Sequence, residues 1–242
     1  MTEPTCELSI VVPAYNEEAC LASIVVEVRD AAARQGIDAE LVIVDDGSTD
    51  GTPAISAQLA RELPRVRVVR HASNQGSGQA IRTGLAHARG TFAIYVPADG
   101  QFDLDELSKY LAPARAGADI VIGARLDRAD YTPFRLLSSR VYIALTNALF
   151  KERFRDVNWV HLWRTSLWDQ IVPRSRGVYF LDEVLVRARR AGRRIVEVDS
   201  RYLPRKGGKA TGSRPSVILL TVWEMLAFRA HLSVSPRRRP RR

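Results

Sequence analysis

Cysteine is nearly absent from this chain, with Cys6 and Cys20 the only two in 242 residues. Without a Cys-x-x-Cys pair or a Cys/His cluster, neither a disulfide framework nor a structural zinc site is supported, and a reducing compartment is the natural setting. Long apolar runs are missing too. The best candidate for a bilayer span, Ser216 to Val234, is interrupted by Glu224, Arg229 and His231 and falls short of the ~20 apolar residues a spanning helix needs. Membrane contact is therefore expected to be peripheral. Met1 to Glu7 is polar and acidic, unlike a signal peptide. There is no internal repeat, and the one low-complexity stretch is the terminal Pro-Arg-Arg-Arg-Pro-Arg-Arg.

What is present is enough apolar material, 46% of the chain, to enclose a substantial core. One domain is expected over residues 1–234, followed by a basic disordered tail over 235–242. The net charge of +9 includes five arginines between Arg237 and Arg242, and falls to +4 without them. Such a tail reads as a solvated end, a tether to anionic lipid or a nucleic-acid contact. No aromatic-basic interleaving accompanies it, so a nucleic-acid partner is not expected.

Short, β-branched apolar runs recur at Leu8 to Val12, Leu41 to Val44, Val66 to Val69, Phe92 to Val96 and Ile120 to Ile122. Their continuity predicts strands covered on both faces. Helical spacing occupies the intervals Glu17 to Arg34, Thr52 to Glu62, Gly78 to Ala88 and Leu104 to Ala116. The alternation predicts an α/β fold with a mostly parallel, doubly wound sheet, in which ligands bind beyond the carboxyl ends of the strands. After residue 124 the pattern weakens into an amphipathic segment, Phe134 to Phe150, and a stretch rich in Trp, Arg and His. A helix at Leu181 to Ala191, a strand at Ile195 to Val198, a Gly/Lys loop at Arg205 to Gly212 and a last helix capped by Ser213 follow.

Three polar motifs fall at predicted strand ends: Pro13-Ala-Tyr-Asn-Glu, Asp45-Asp-Gly-Ser-Thr-Asp and Ala98-Asp-Gly-Gln. Asp99 and Gln101 offer hard oxygen ligands of the kind a divalent cation takes. Asp45 and Asp46 repel one another unless an N–H donor, a hydroxyl pair or a cation meets them, and a nucleoside supplies such partners. Asn74-Gln-Gly-Ser-Gly-Gln-Ala80 opens a helix, where free amides receive phosphate. It lacks the third Rossmann glycine and the P-loop lysine, so a helix start packed tightly on the sheet is the preferred reading.

In order and spacing, Ile10-Val-Val-Pro-Ala-Tyr-Asn-Glu17, Val44-Asp-Asp-Gly-Ser-Thr-Asp-Gly-Thr52, Asn74 to Ala80 and Ala98-Asp-Gly-Gln101 resemble glycosyltransferase family 2, inverting nucleotide-sugar transferases of the GT-A fold. The resemblance covers residues 8–126, the half expected to bind the nucleotide-sugar. Residues 127–234, the expected acceptor half, are more loosely similar to the dolichol-phosphate mannose synthase group, through Ile122-Gly-Ala-Arg125, Arg135 with Ser139, Tyr179-Phe-Leu-Asp-Glu183 and the basic loop Arg205 to Thr211. The resemblance implies that Pro13, Tyr15, Glu17, Val44, Asp46, Ala98 and Asp99 line the donor site. It further implies that Asp99 and Gln101 hold Mg2+ or Mn2+, with Asp99 and Arg125 central to catalysis. Arg125, Arg135, Ser139, Glu183, Arg205 and Lys209 would face phosphate or acceptor.

The expected reaction moves one sugar from a GDP- or UDP-hexose to a polyprenyl phosphate, on the cytoplasmic side of a membrane. Alternatives are a hydroxyl acceptor, with Asp182 or Glu183 as base, and a non-catalytic nucleotide or lipid-phosphate binding module. Two departures from the family pattern stand out. Pro97 replaces the acidic residue usual two positions before Asp99. The stretch Asp156 to Arg164 resembles an Asp-Val-Asp segment but is one residue short, which leaves Asp156, Asn158 and His161 without assigned roles.

Overall fold

The computed structural model describes residues 5–128, 131–175, 177–204 and 215–234. Apolar runs form the strands β1 (Cys6–Ala14), β2 (Ala39–Asp45), β3 (Val66–Arg70), β4 (Gly90–Tyr95) and β5 (Ile120–Arg125), as their sequences predict. Two further strands, β6 (His161–Arg164) and β7 (Ile195–Ser200), complete a sheet in the order β3-β2-β1-β4-β6-β5-β7. Every neighbouring pair is parallel except those made by β6, which runs antiparallel to both β4 and β5. Strand β6 lies in the Trp/Arg/His-rich stretch, where no apolar run announced it.

Both faces of the sheet are covered, which is why the parallel strands read as unbroken apolar runs. Helices α1 (Leu21–Arg34), α2 (Thr52–Glu62) and α4 (Leu107–Arg115) pack on one face around Ile10, Ile43 and Ile94. Helices α3 (Ser77–Ala86) and α6 (Phe180–Arg190) pack on the other around Val11, Val44 and Ile122. A third layer, α5 (Pro133–Phe150) and α7 (Pro215–Val234), covers the outer side of α6 through Tyr142, Leu145, Met225 and Phe228.

The first helix starts four residues later than its spacing predicts. Asn16 sits at φ 55°, and Glu17 O accepts the amides of Cys20 and Leu21, so residues 17–20 form a turn. That turn, the carboxyl ends of β1 and β2, and the segment after β4 meet where β2 and β4 lie on opposite sides of β1. Such a reversal of strand order opens a ligand crevice in a doubly wound sheet.

Candidate active site

At the carboxyl ends of the strands, hydrogen bonds lock the loops after β1 and β2 together. Asn16 N donates to Ser48 Oγ at 3.0 Å, Thr49 N to Asn16 Oδ1 at 2.9 Å, and Glu17 N to Thr52 Oγ1 at 2.9 Å. Register pairs Pro13 with Val44, and the loop after β4 joins them because Cys20 Sγ lies within reach of both Glu17 Oε2, 3.1 Å, and Ala98 O, 3.5 Å. Pro13, Tyr15, Glu17, Val44, Asp46, Ala98 and Asp99 thus belong to the carboxyl ends of three adjacent strands. Tyr15 is exposed, Pro13, Glu17 and Asp99 are half-buried, and Val44, Asp46 and Ala98 are buried.

The Asp45-Asp46 pair is met by protein groups. Asp45 Oδ1 accepts the Ser48 amide at 2.9 Å, and its Oδ2 lies 3.0 Å from Arg70 Nε, an ion pair without an aligned hydrogen bond. Asp46 accepts the amides of Gln75 at 2.9 Å and Gly76 at 2.8 Å, and His71 Nδ1 is 2.7 Å from its Oδ1. The amides offered by the Asn74–Ala80 loop are therefore directed at Asp46. At Gly78 an added Cβ would come within 2.5 Å of the Gly177 backbone, and at Gly84 within 2.2 Å of Val11 Cγ1. This agrees with a tightly packed helix start. His71, whose Nε2 lies 2.9 Å from Thr83 Oγ1, is a member of the site that the sequence did not reveal.

Asp99 Oδ1 accepts the Gln101 amide at 3.0 Å. Gly100, at φ 72°, turns the chain back at once, a conformation that glycine adopts freely. Gln101 is consequently buried, and its Nε2 donates to the Tyr202 hydroxyl. Its side chain is turned into the fold rather than outward beside Asp99. Among the described residues no three His, Cys, Asp or Glu side chains gather into a metal cage. One carboxylate at an open strand end fits magnesium or manganese, hard cations that complete their shells with phosphate oxygens and water.

A second cluster, between β5 and α5, is built around Asp156, 1% exposed. Arg125 grips it through Nε to Oδ2, 2.7 Å, and Nη2 to Oδ1, 2.9 Å, while Arg128 Nη2 donates to Oδ2 at 2.8 Å. Burial pushes the Asp156 carboxyl up, but hydrogen bonds and charge from Arg125, with the charge of Arg128, outweigh it and hold the group below its ordinary value. Tyr131 lies among three guanidinium groups, with the charge centres of Arg125, Arg128 and Arg135 at 5.6, 5.8 and 3.8 Å from its ring centroid. Arg125 is therefore an inward-facing anchor, whereas Arg135 and Ser139 sit half-buried on α5. Arg128 carries no sequence signal beyond its residue type, and Asp156 only the loose Asp-Val-Asp resemblance, which gave it no role.

Tyr95, the last residue of β4, reaches both groups of residues: its phenol is within electrostatic reach of Arg125, Asp156, Asp182 and Asp99, and donates to Trp159 O at 2.6 Å. Asp182 is buried and accepts from the Tyr142 hydroxyl, and burial pushes its carboxyl up to about 8. Neighbouring Glu183 behaves oppositely. Its oxygens accept from Ser175 Oγ at 2.6 Å, from the Arg174 and Ser175 amides and from Arg187 Nε at 2.7 Å. Burial alone would raise its pKa, but these donors hold it below the ordinary value. His161 is buried with neither ring nitrogen in an aligned hydrogen bond, and burial, opposed by the charge of Asp156 and the Val157 backbone, pushes it down to about 4. Arg205, Lys209, Ser213 and the arginine tail lie outside the described residues.

Comparison with known proteins agrees with the fold and the motifs. An uncharacterized glycosyltransferase of Mycobacterium tuberculosis is 33% identical over 233 residues, 91% of this chain and 98% of its own length. Dolichyl-phosphate beta-glucosyltransferase of Drosophila melanogaster is 36% identical over 135 residues, 50% of this chain and 41% of that protein. Undecaprenyl-phosphate 4-deoxy-4-formamido-L-arabinose transferase of Edwardsiella ictaluri is 29% identical over 206 residues, 84% and 62% respectively. Among solved structures, glucosyl-3-phosphoglycerate synthase from M. tuberculosis, in complex with Mn2+, UDP and phosphoglyceric acid, superposes with a TM-score of 0.71 at 18% identity, over 93% of this chain and 79% of that one. At that identity the likeness establishes the GT-A fold. The profile of glycosyl transferase family 2 matches residues 9–168, and the chain belongs to that family.

Proposed function

We propose that the chain transfers a single hexose from a nucleotide-sugar to a polyprenyl phosphate at a membrane surface. The observation that carries this reading is the make-up of α5. Phe134, Leu137 and Val141, all exposed, form one stripe along the helix, and Arg135 and Ser139, one turn apart, form the neighbouring stripe. An acceptor with a phosphate head and an apolar tail matches both stripes at once. Arg125 and Arg128 share the Asp156 carboxylate and Arg135 lies over the neighbouring Tyr131 ring, which leaves surplus positive charge for that phosphate. The two relatives named for dolichyl- and undecaprenyl-phosphate support the same acceptor class.

Residues 8–126 would hold the donor, with Pro13, Tyr15, Glu17, Val44 and Ala98 around the nucleoside and Asp46 shaping the pocket through the loop it anchors. Asp99 is the side chain that would hold Mg2+ or Mn2+, and the Gln101 amide fixes its carboxylate. When bound, such an ion neutralises charge on the departing diphosphate. The acceptor phosphate, ionised near neutral pH, attacks the anomeric carbon through one oxygen. The bond to the nucleotide diphosphate breaks, its electron pair leaves with the diphosphate, and the anomeric configuration inverts. No proton has to be removed, so placement and charge stabilisation suffice. A hydroxyl acceptor would need a base. Glu183 is committed to Ser175 and Arg187, and Asp182 is held protonated at neutral pH, which weighs against that alternative.

No helix among the described residues is long and apolar enough to cross a membrane. The exposed apolar residues of α5, with Leu219, Trp223 and Leu226 of α7, supply a surface for peripheral docking. The test is transfer of radiolabel from UDP- and GDP-hexoses, with magnesium, into butanol-extractable prenyl-phosphate product. Label is expected in the butanol phase and should fall by about 100-fold or more in Asp99→Ala. Label confined to water-soluble product, or an Asp99→Ala variant as active as wild type, contradicts the reading.

A further inference from the structure

Arg128 lies outside the motifs that carry the family resemblance, yet it stands at the centre of the acceptor-side cluster. Its Nη2 donates to Asp156 Oδ2 at 2.8 Å and its Nη1 to Ser139 Oγ at 2.5 Å, with its side chain only 12% exposed. We propose that Arg128 is a positioning residue for the acceptor phosphate, acting by orienting the Ser139 hydroxyl.

A serine inside a helix tends to turn its hydroxyl toward a carbonyl one turn back, which hides the donor. Ser138 does this, donating to Arg135 O at 3.0 Å. Ser139 instead accepts from Arg128 through one lone pair, and its own proton remains to donate. The guanidinium repels that proton, so it points away from Arg128. Arg135, one turn earlier on α5, provides the charge beside it, and among the described residues it has no carboxylate partner. Arg128 is held in place by Asp156, which Arg125 fixes by its two-point grip. The carboxylate offsets one of the three guanidinium charges. The two that remain match a phosphomonoester dianion better than a diester monoanion or a neutral alcohol. This role rests on the reading of a phosphate acceptor held at Arg135 and Ser139.

Steady-state kinetics with a short-chain prenyl phosphate and the nucleotide-sugar test it in wild type, Arg128→Gln, Arg128→Lys, Ser139→Ala and the double variant Arg128→Gln/Ser139→Ala. Arg128→Gln is expected to raise the acceptor KM by about 10- to 100-fold, the scale of a lost hydrogen bond to a charged group, with the donor KM within about twofold. Ser139→Ala should reproduce most of that loss, and the double variant should be no worse than the poorer single one, because the two residues act as one unit. Arg128→Lys, which keeps the charge but not the fork, should recover part of it. An unchanged acceptor KM in Arg128→Gln, additive losses in the double variant, or an equal rise in donor KM overturns the proposal. Should Arg128→Gln fail to fold, Arg128→Lys and Ser139→Ala carry the same comparison. A wild type that glycosylates only hydroxyl acceptors overturns the functional reading and Arg128 with it. A wild type active on prenyl phosphate beside an indifferent Arg128→Gln overturns Arg128 alone.

Discussion

At the scale of single residues, the arginine cluster between β5 and α5 rests on one buried carboxylate. Asp156 neutralises Arg125, itself 4% exposed, and removing that charge strands a guanidinium in the interior. Asp156→Asn is expected to destabilise the fold by about 3–5 kcal/mol, measured by denaturant unfolding; a loss below about 1 kcal/mol would show that Arg125 finds water instead. Two other buried groups shape the pH dependence. Asp182 keeps its proton up to about pH 8 when folded but releases it near 3.8 when unfolded, so across that range the folded state holds the extra proton and stability falls as pH rises. His161 stays neutral down to about pH 4 when folded, whereas the unfolded chain takes a proton near 6.5, so stability falls as pH drops between those values. The two slopes oppose each other between about pH 4 and 6.5, and above 6.5 that of Asp182 acts alone. Wild type should therefore lose about 1–2 kcal/mol between pH 6.5 and 8 relative to Asp182→Asn. Parallel unfolding curves for the two proteins across that interval would contradict this account of Asp182.

Among the elements, the five parallel strands of residues 6–125 and the helices between them were legible because burial on both faces writes itself as continuous apolar runs. Strand β6 was not. It is four residues long, His-Leu-Trp-Arg, runs antiparallel, and draws its stability from partners 39 to 72 residues away in sequence, such as Ile122 and Phe92. The same limit hid the site's cross-chain partners. Nothing near Asp46 in sequence announces His71, and nothing near Gln101 announces Tyr202, the hydroxyl that takes its side chain inward. Arg128 was indistinguishable from a surface arginine until α5 brought Ser139 against it. Helix α7 carries an exposed stripe in which Leu219 and Trp223, one turn apart, are 70% and 66% exposed. Their conversion to serine should lower partitioning onto anionic liposomes by about tenfold or more, given roughly 1.5–3 kcal/mol for burying such a side chain, while leaving the melting temperature within a few degrees. Equal flotation of variant and wild type would remove α7 from the membrane contact.

For the molecule as a whole, the loops at the carboxyl ends of β2, β1 and β4 and the arginine cluster between β5 and α5 belong to one sheet, because β6 pairs with both β4 and β5. The family and its fold were readable from motif order in residues 8–126. The later half depended on side-chain placement that isolated Arg and Ser residues do not encode, so the inward turn of Arg125 onto Asp156 was not legible. The most direct measurement is phosphorus NMR of the product formed from prenyl phosphate and nucleotide-sugar. Conversion of the acceptor's phosphomonoester resonance into a phosphodiester coupled to an anomeric proton is the predicted result. A monoester resonance that persists while the sugar is transferred to a hydroxyl group would contradict it.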